Sequence, residues 1–370
     1  MGTLRFLLAV AIVITHSSAV FGITSLGGIS AVESFCMMSG FYMWMILNEK
    51  YIGQNNSYQL FITNRFLRIY PLYWTVLIAA VALAVIDALF FKNIPNNRIA
   101  PYIAFAPLLN PLVYGFIIFT NLFIFGQDVI SFLGVNIHSG WFTLNSLGGV
   151  QYAFMFLPQS WSLSLELFFY LLVPILATKN IRLTIAIIII SLVGRFILYV
   201  HGYNYIPWNS RFLPFELALF LMGGICYVIY KKIKHRSFPK LLLNSIWIGL
   251  LLVTIFYQYF PGDDLKRWIY YALFAAALPF IFHLTKHYKW DRYIGELSYP
   301  LFLVQLLVVS LLQHTGIGDN YLGVTTIICS TGLAIVIYHF ITIPIERIRQ
   351  KRVKRSHLKK DDPLTVLIKE

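Results

Sequence analysis

Residues 160–200 read SWSLSLELFFYLLVPILATKNIRLTIAIIIISLVGRFILYV. Two apolar runs, 160–177 and 183–200, flank a short polar break that carries Lys179 and Arg182. Each run is close to the ~20 apolar residues a helix needs to cross a hydrocarbon core ~30 Å thick. Nine more segments of this kind occur: 4–22, 29–48, 69–91, 103–125, 211–230, 241–260, 268–285, 297–315 and 321–343. The fold class is therefore all-α, a polytopic transmembrane helical bundle. Composition agrees. Of 370 residues, 58% are hydrophobic and 12% charged, about half the ~25% charged share of soluble domains. Mean hydropathy is +0.72. An ordinary soluble enzyme and a disordered chain are both excluded.

The charge balance orients the bundle. Lys and Arg number 29 against 15 Asp and Glu, a net +14. In a membrane chain such an excess sits in cytoplasmic loops, so it is not a nucleic-acid footprint. The basic stretches are 49–68 (Lys50, Arg65, Arg68), 231–240, 286–292 and a tail holding Arg347, Arg349, Lys351, Arg352, Lys354, Arg355, Lys359 and Lys360. Loop 126–159 has no Lys or Arg and suits the outside. Both termini then lie in the cytoplasm, which requires an even number of crossings. The weakest segment is 103–125, interrupted at its start by Pro101, Pro107 and Pro111, and proline breaks helix interiors. The expectation is about ten spans, with 103–125 re-entrant or interfacial. Residues 1–343 form one membrane domain and 344–370 a basic cytoplasmic tail. Cys36, Cys226 and Cys329 have neither pairing nor metal spacing, and no metal site is expected.

Ionisable side chains at membrane depth are expensive and mark function. His16 sits six residues from the outer end of segment 4–22, and Glu33 four residues into the next. Glu166 is about six residues into its segment, Arg195 five from the end of its own, and Glu216 five into the following one. At ~1.5 Å rise per residue these five come within roughly 6–9 Å of one another in depth. A hydrated pocket toward the outer half of the membrane follows. Each has a plainer role as well: Arg195 and Glu216 as a buried ion pair, Glu33 as a carboxylate at a helix start, His16 as a packed histidine. Arg5 opens the first segment, and Arg65 and Arg68 stand three apart on one helical face. They either anchor the inner membrane face or clamp phosphates, which guanidinium matches bidentately.

These residues resemble the acyltransferase-3 family of multi-spanning membrane acyltransferases. LRFLLAVAIVITH at 4–16 is similar to the family's opening, an Arg, ten residues, then His. GGISAVESFCMMSGFYMW at 27–44, NRFLRIYPLYW at 64–74, SWSLSLELFFYLLVP at 160–174 and IGELSYPLFLVQ at 294–305 resemble four further motifs in order. One departure is Gln305, where many members have a histidine. With about 27 residues after the last segment, the chain resembles the stand-alone form of the family.

The resemblance implies transfer of an acyl group, most often acetyl, from acyl-CoA to a sugar hydroxyl. Acetyl-CoA is then the donor, and a sugar or lipid-linked glycan at the plasma (inner) membrane the acceptor. Arg5, Arg65 and Arg68 would hold the donor's phosphates at the cytoplasmic face. His16 would be the base for the acceptor hydroxyl or carry the acyl group covalently. Glu33 or Glu166 would orient its imidazole. Trp161 either stacks on a sugar ring or anchors the interface, as do Trp141, Phe142 and Tyr152; Tyr299 shapes the pocket or packs the core. The alternative class is a transporter or flippase, since a charged layer and a broken helix also suit translocation. The missing internal repeat argues against it.

Overall fold

A computed structural model describes residues 1–358 apart from 52–56, 92–96, 137, 144–152, 178–180 and 263. Lys179, Tyr152, Lys359 and Lys360 lie outside the described residues. Eleven apolar helices match the eleven segments. They are α1 (Gly2–His16), α2 (Gly28–Ile46), α3 (Ser57–Ile86), α4 (Pro111–Phe123), α5 (Trp161–Ala177), α6 (Ile181–Val200), α7 (Leu213–Ile233), α8 (Lys240–Ile255), α9 (Asp264–Thr285), then, after the short α10 (Lys289–Glu296), α11 (Ser298–Thr315) and α12 (Leu322–Ile337). A last helix, α13 (Ile343–Leu358), continues α12 through a π-turn at Tyr338–Thr342. Among the described residues, eight helical stretches are long and apolar enough to cross a membrane, while α1, α4 and α8 are shorter. The chain is a multi-pass helical membrane protein.

Several boundaries differ from the sequence reading, each for a local reason. The first helix stops at His16, six residues before the expected end. Thr15 and Ser17 turn their hydroxyls back onto the carbonyls of Ala11 and Val13, at 2.9 and 2.8 Å. Such bonds compete with helix propagation, and the backbone then enters turns with positive φ at Phe21 and Ser25. His16 is thus the last residue of its helix. At the third segment the helix begins at Ser57, not 69, so Arg65 and Arg68 lie well inside it. Segment 103–125 breaks where its prolines fall. After a short turn, Asn110 caps α4 by accepting the Leu112 N–H. The 13 residues of α4 span ~20 Å, short of a ~30 Å core. The supposed tail is helical through Leu358, and Arg352 donates to Thr63 of α3 at 2.9 Å.

The spine of the bundle is the contact between α2 and α7. A Cβ on Gly40 would fall 1.8 Å from the Phe220 carbonyl oxygen, and one on Gly223 would fall 1.8 Å from the Met37 oxygen. The two backbones therefore touch, as small residues allow inside membranes. Phe41 of α2 then packs against Tyr227 of α7 and Phe282 of α9, with ring centres 5.8 and 5.0 Å apart. Gly40→Val would force these helices apart. It should cost about 3 kcal/mol, the upper end for overpacking, read as a fall in midpoint temperature of the detergent-solubilised protein.

Candidate active site

Three of the four basic stretches meet around one cavity. Its volume is about 770 Å³, within the range of sites that hold cofactor-sized ligands. Arg5 from α1, Arg65 and Arg68 from α3, Glu166 from α5 and Tyr299 from α11 all line it. Lys50, Lys286 and Arg292 join them, so the stretches 49–68 and 286–292 share one end of the bundle. Arg349 and Lys354 of α13 complete the wall. Sequence reasoning placed these two in a solvated tail. In the structure the helical stretch runs on from 319 to 354, which brings both residues to the cavity.

The cations differ in how they are compensated. Arg68 pairs with Glu296 at 3.5 Å, and Arg349 pairs with Glu346 one turn away. Arg5 and Arg65 form no ion pair among the described residues. Arg65 is 2% exposed. Its guanidinium lies over the Phe61 ring at 5.7 Å, and its Nε lacks a hydrogen-bond partner. Arg5 lies over Tyr42 at 5.7 Å. It is set in place from α10, where the Asp291 carboxylate accepts the Gly2 and Thr3 N–H groups at 2.7 and 2.8 Å. Glu296, the partner of Arg68, lies within electrostatic reach of both Arg5 and Arg65, and cations outnumber carboxylates in the cavity wall.

Deeper in, Glu166 accepts from Ser39 Oγ at 2.6 Å and from the Tyr170 hydroxyl. Tyr299 donates to the Ile69 carbonyl at 2.9 Å, tying α11 to α3. Ile12, Val32, Ser162 and Phe302 also line the cavity. Ile12 lies four residues, ~6 Å, before His16 on α1. The imidazole itself is not part of the cavity wall. It is exposed at the helix end, and the residue beside it is Gln305. Gln305 is fully buried, and its amide makes no other well-aligned hydrogen bond among the described residues. Ser298, Phe302 and Gln305 occupy one face of α11, which runs from the cavity to the imidazole.

The five ionisable groups expected in one layer fall in three places: Glu33, Arg195 and Glu216 together, Glu166 in the basic cavity, and His16 beside Gln305. Glu33 accepts from Arg195 and from the Tyr271 hydroxyl. Arg195 also donates to Glu216 at 3.2 Å and to the Asn209 carbonyl. Glu33, Arg195 and Glu216 thus form a buried ion cluster joining α2, α6 and α7. Neither Glu33 nor Glu166 bonds the imidazole. Trp161 lies beneath the Arg211 guanidinium, 4.7 Å from its ring centre, near the His16 side of the molecule.

Residues 2–341 match the model of a family described as an acyltransferase domain, acyltransferase-3. The chain belongs to that family. An uncharacterised protein of Aquifex aeolicus (strain VF5) is 27% identical over 204 residues, 52% of this chain and 89% of that protein. No solved structure matches.

The ion cluster should be structural. Arg195→Met leaves Glu33 and Glu216 buried without their cation, which should cost about 3–5 kcal/mol. Thermal unfolding in detergent will measure it, and a change under about 1 kcal/mol would contradict the cluster's role.

Proposed function

We propose that the chain moves an acyl group, acetyl first of all, from cytoplasmic acyl-CoA to a hydroxyl of a cell-surface sugar or lipid-linked glycan at the plasma (inner) membrane. One observation carries the reading: Arg5 and Arg65 face a large cavity with no carboxylate paired to either among the described residues. Coenzyme A is a polyanion, and guanidinium meets phosphate oxygens bidentately. Arg68 and Arg349 broaden the same cationic wall. The pantetheine arm then runs inward past Ser39, Glu166 and Ser298. There the Glu166 carboxylate can accept its amide N–H groups.

The thioester end reaches the cavity wall at Ile12, one helical turn from His16. A sugar hydroxyl is a weak nucleophile and needs a base. Its oxygen bonds to the thioester carbonyl carbon while its proton passes to the His16 imidazole. The C–S bond breaks, and the proton passes on to the departing CoA thiolate. Gln305, the buried amide beside the imidazole, is the positioning residue in this scheme. Glu33 acts at a distance, by holding Arg195 and so the packing of α2 on α6.

Purified protein in lipid nanodiscs, given acetyl-CoA, should release free CoA. His16→Ala should lower kcat by about 10²–10⁴-fold, the usual share of a general base, with unchanged CoA affinity by calorimetry. Full turnover in that variant would refute the base. Arg5→Ala with Arg65→Ala should weaken CoA binding tenfold or more, since each charge-assisted bond is worth about 1.5–3 kcal/mol. Equal affinity in the double variant would remove the clamp, and a pure transporter would show no thioester cleavage at all.

A further inference from the structure

One wall of the basic cavity comes from the far end of the last helix. Arg5, Arg65 and Arg68 stand on α1 and α3, inside the bundle, while Glu346, Arg349, Val353 and Lys354 stand on α13. That helix ends a helical stretch of 36 residues, Asp319–Lys354. At ~1.5 Å per residue the stretch measures ~54 Å, against a hydrocarbon core of ~30 Å, so α13 stands outside the core. A π-turn at Tyr338–Thr342 joins it to α12. Pro344 follows two residues later and has no N–H to give the preceding turn. Helices bend at such places, and π-turns inside helices recur at functional sites.

The ties between α13 and the bundle are few. Arg352 donates to Thr63 of α3 at 2.9 Å, and Val353 packs on the core. Glu346 turns its carboxylate onto Arg349 and Gln350 of α13 itself. Arg347, Ile348, Lys351 and Lys354 are exposed. Across the cavity the charges are alike. Arg349 is 8% exposed and lies within electrostatic reach of Arg65 and Arg68. Glu296 is within reach of Arg5, Arg65, Arg68 and Arg349 alike, and one carboxylate cannot neutralise four guanidinium groups. Around the whole cavity eight Lys and Arg face five Asp and Glu.

Like charges facing across a gap push their two elements apart, and a polyanion seated between them bonds both. It bonds both only when α13 rests on α3, so it favours that arrangement, and differential affinity is what moves a conformational equilibrium. We propose that α13 is a hinged jaw: Arg349 and Lys354 bind the donor's phosphates from the side opposite Arg65 and Arg68, and donor binding draws α13 onto α3. The donor enters, and the spent carrier leaves, when α13 swings back about Tyr338–Thr342. The inference rests on the transferase reading for the identity of the anion as CoA, whereas the jaw itself requires only a polyphosphate.

The test is a pulsed-EPR distance measurement on the full chain in nanodiscs. Spin labels go on Lys231→Cys, at the end of α7, and Lys351→Cys, on α13, both exposed positions. Cys329→Ser removes the exposed native thiol. CoA should narrow the distance distribution at least twofold in width. Lys354→Glu, at an exposed position that spares the fold, supplies negative charge from α13 itself. It should narrow the distribution without any ligand, and CoA should then add no further change. CoA binding is followed by calorimetry on the same samples. Binding with an unchanged distribution, or a Lys354→Glu variant that behaves like the unsubstituted protein, would overturn the jaw and spare the transferase. If CoA does not bind, inorganic tripolyphosphate decides: narrowing keeps the jaw and ends the CoA reading, and no change ends both.

Discussion

An arginine taken out of water has to be met by negative charge, and this bundle answers that requirement in two ways. Arg195 is met within the fold, by Glu33, Glu216 and a backbone carbonyl. Its cluster ties three helices together at one end. Arg5 and Arg65 lie toward the other end against aromatic rings, with no carboxylate paired to them among the described residues. The same chemistry thus stabilises one half of the molecule and leaves the other half receptive. The cost of that receptivity is borne by the packing around it.

The packing that bears it is centred on α2. Its glycine contact with α7 brings two backbones together, which leaves the opposite flank of α2 free to line the basic cavity with Ser39 and Tyr42. The anchor at Asp291 fixes the start of α1 and thereby the position of Arg5. Because α1 is a single rigid helix, Arg5 and His16 are separated by a set distance, ~16 Å over eleven residues. Arg5 and Ile12, seven residues and ~10 Å apart on that helix, both line the basic cavity. It stops a turn short of the imidazole, where the α11 face with Gln305 takes over.

Much of this was readable in the chain because membranes impose simple rules. Long apolar runs have to be helices, and all eleven were visible as runs in the sequence. The arginine pair three residues apart and the Arg-to-His spacing were also plain. Less readable was the end of α1, which depends on two hydroxyls folding back onto carbonyls rather than on hydropathy. The α13 wall was missed because basic, polar helices resemble solvated tails when their neighbour is unknown. Arg349 becomes a cavity residue only once α13 lies against α3.

The amino-acid sequence by itself determined the class of fold, the number of apolar helices and the family motifs, since these depend on composition and on spacing within single helices. Only the tertiary structure decided which ionisable groups share a site. Glu33 and Glu166 look alike in sequence, each a carboxylate a few residues into an apolar helix. One is neutralised by Arg195 and the other faces a cavity with Arg65 and Arg68. That difference comes from helix rotation and tilt, which are set by contacts between distant segments, and no local pattern encodes them.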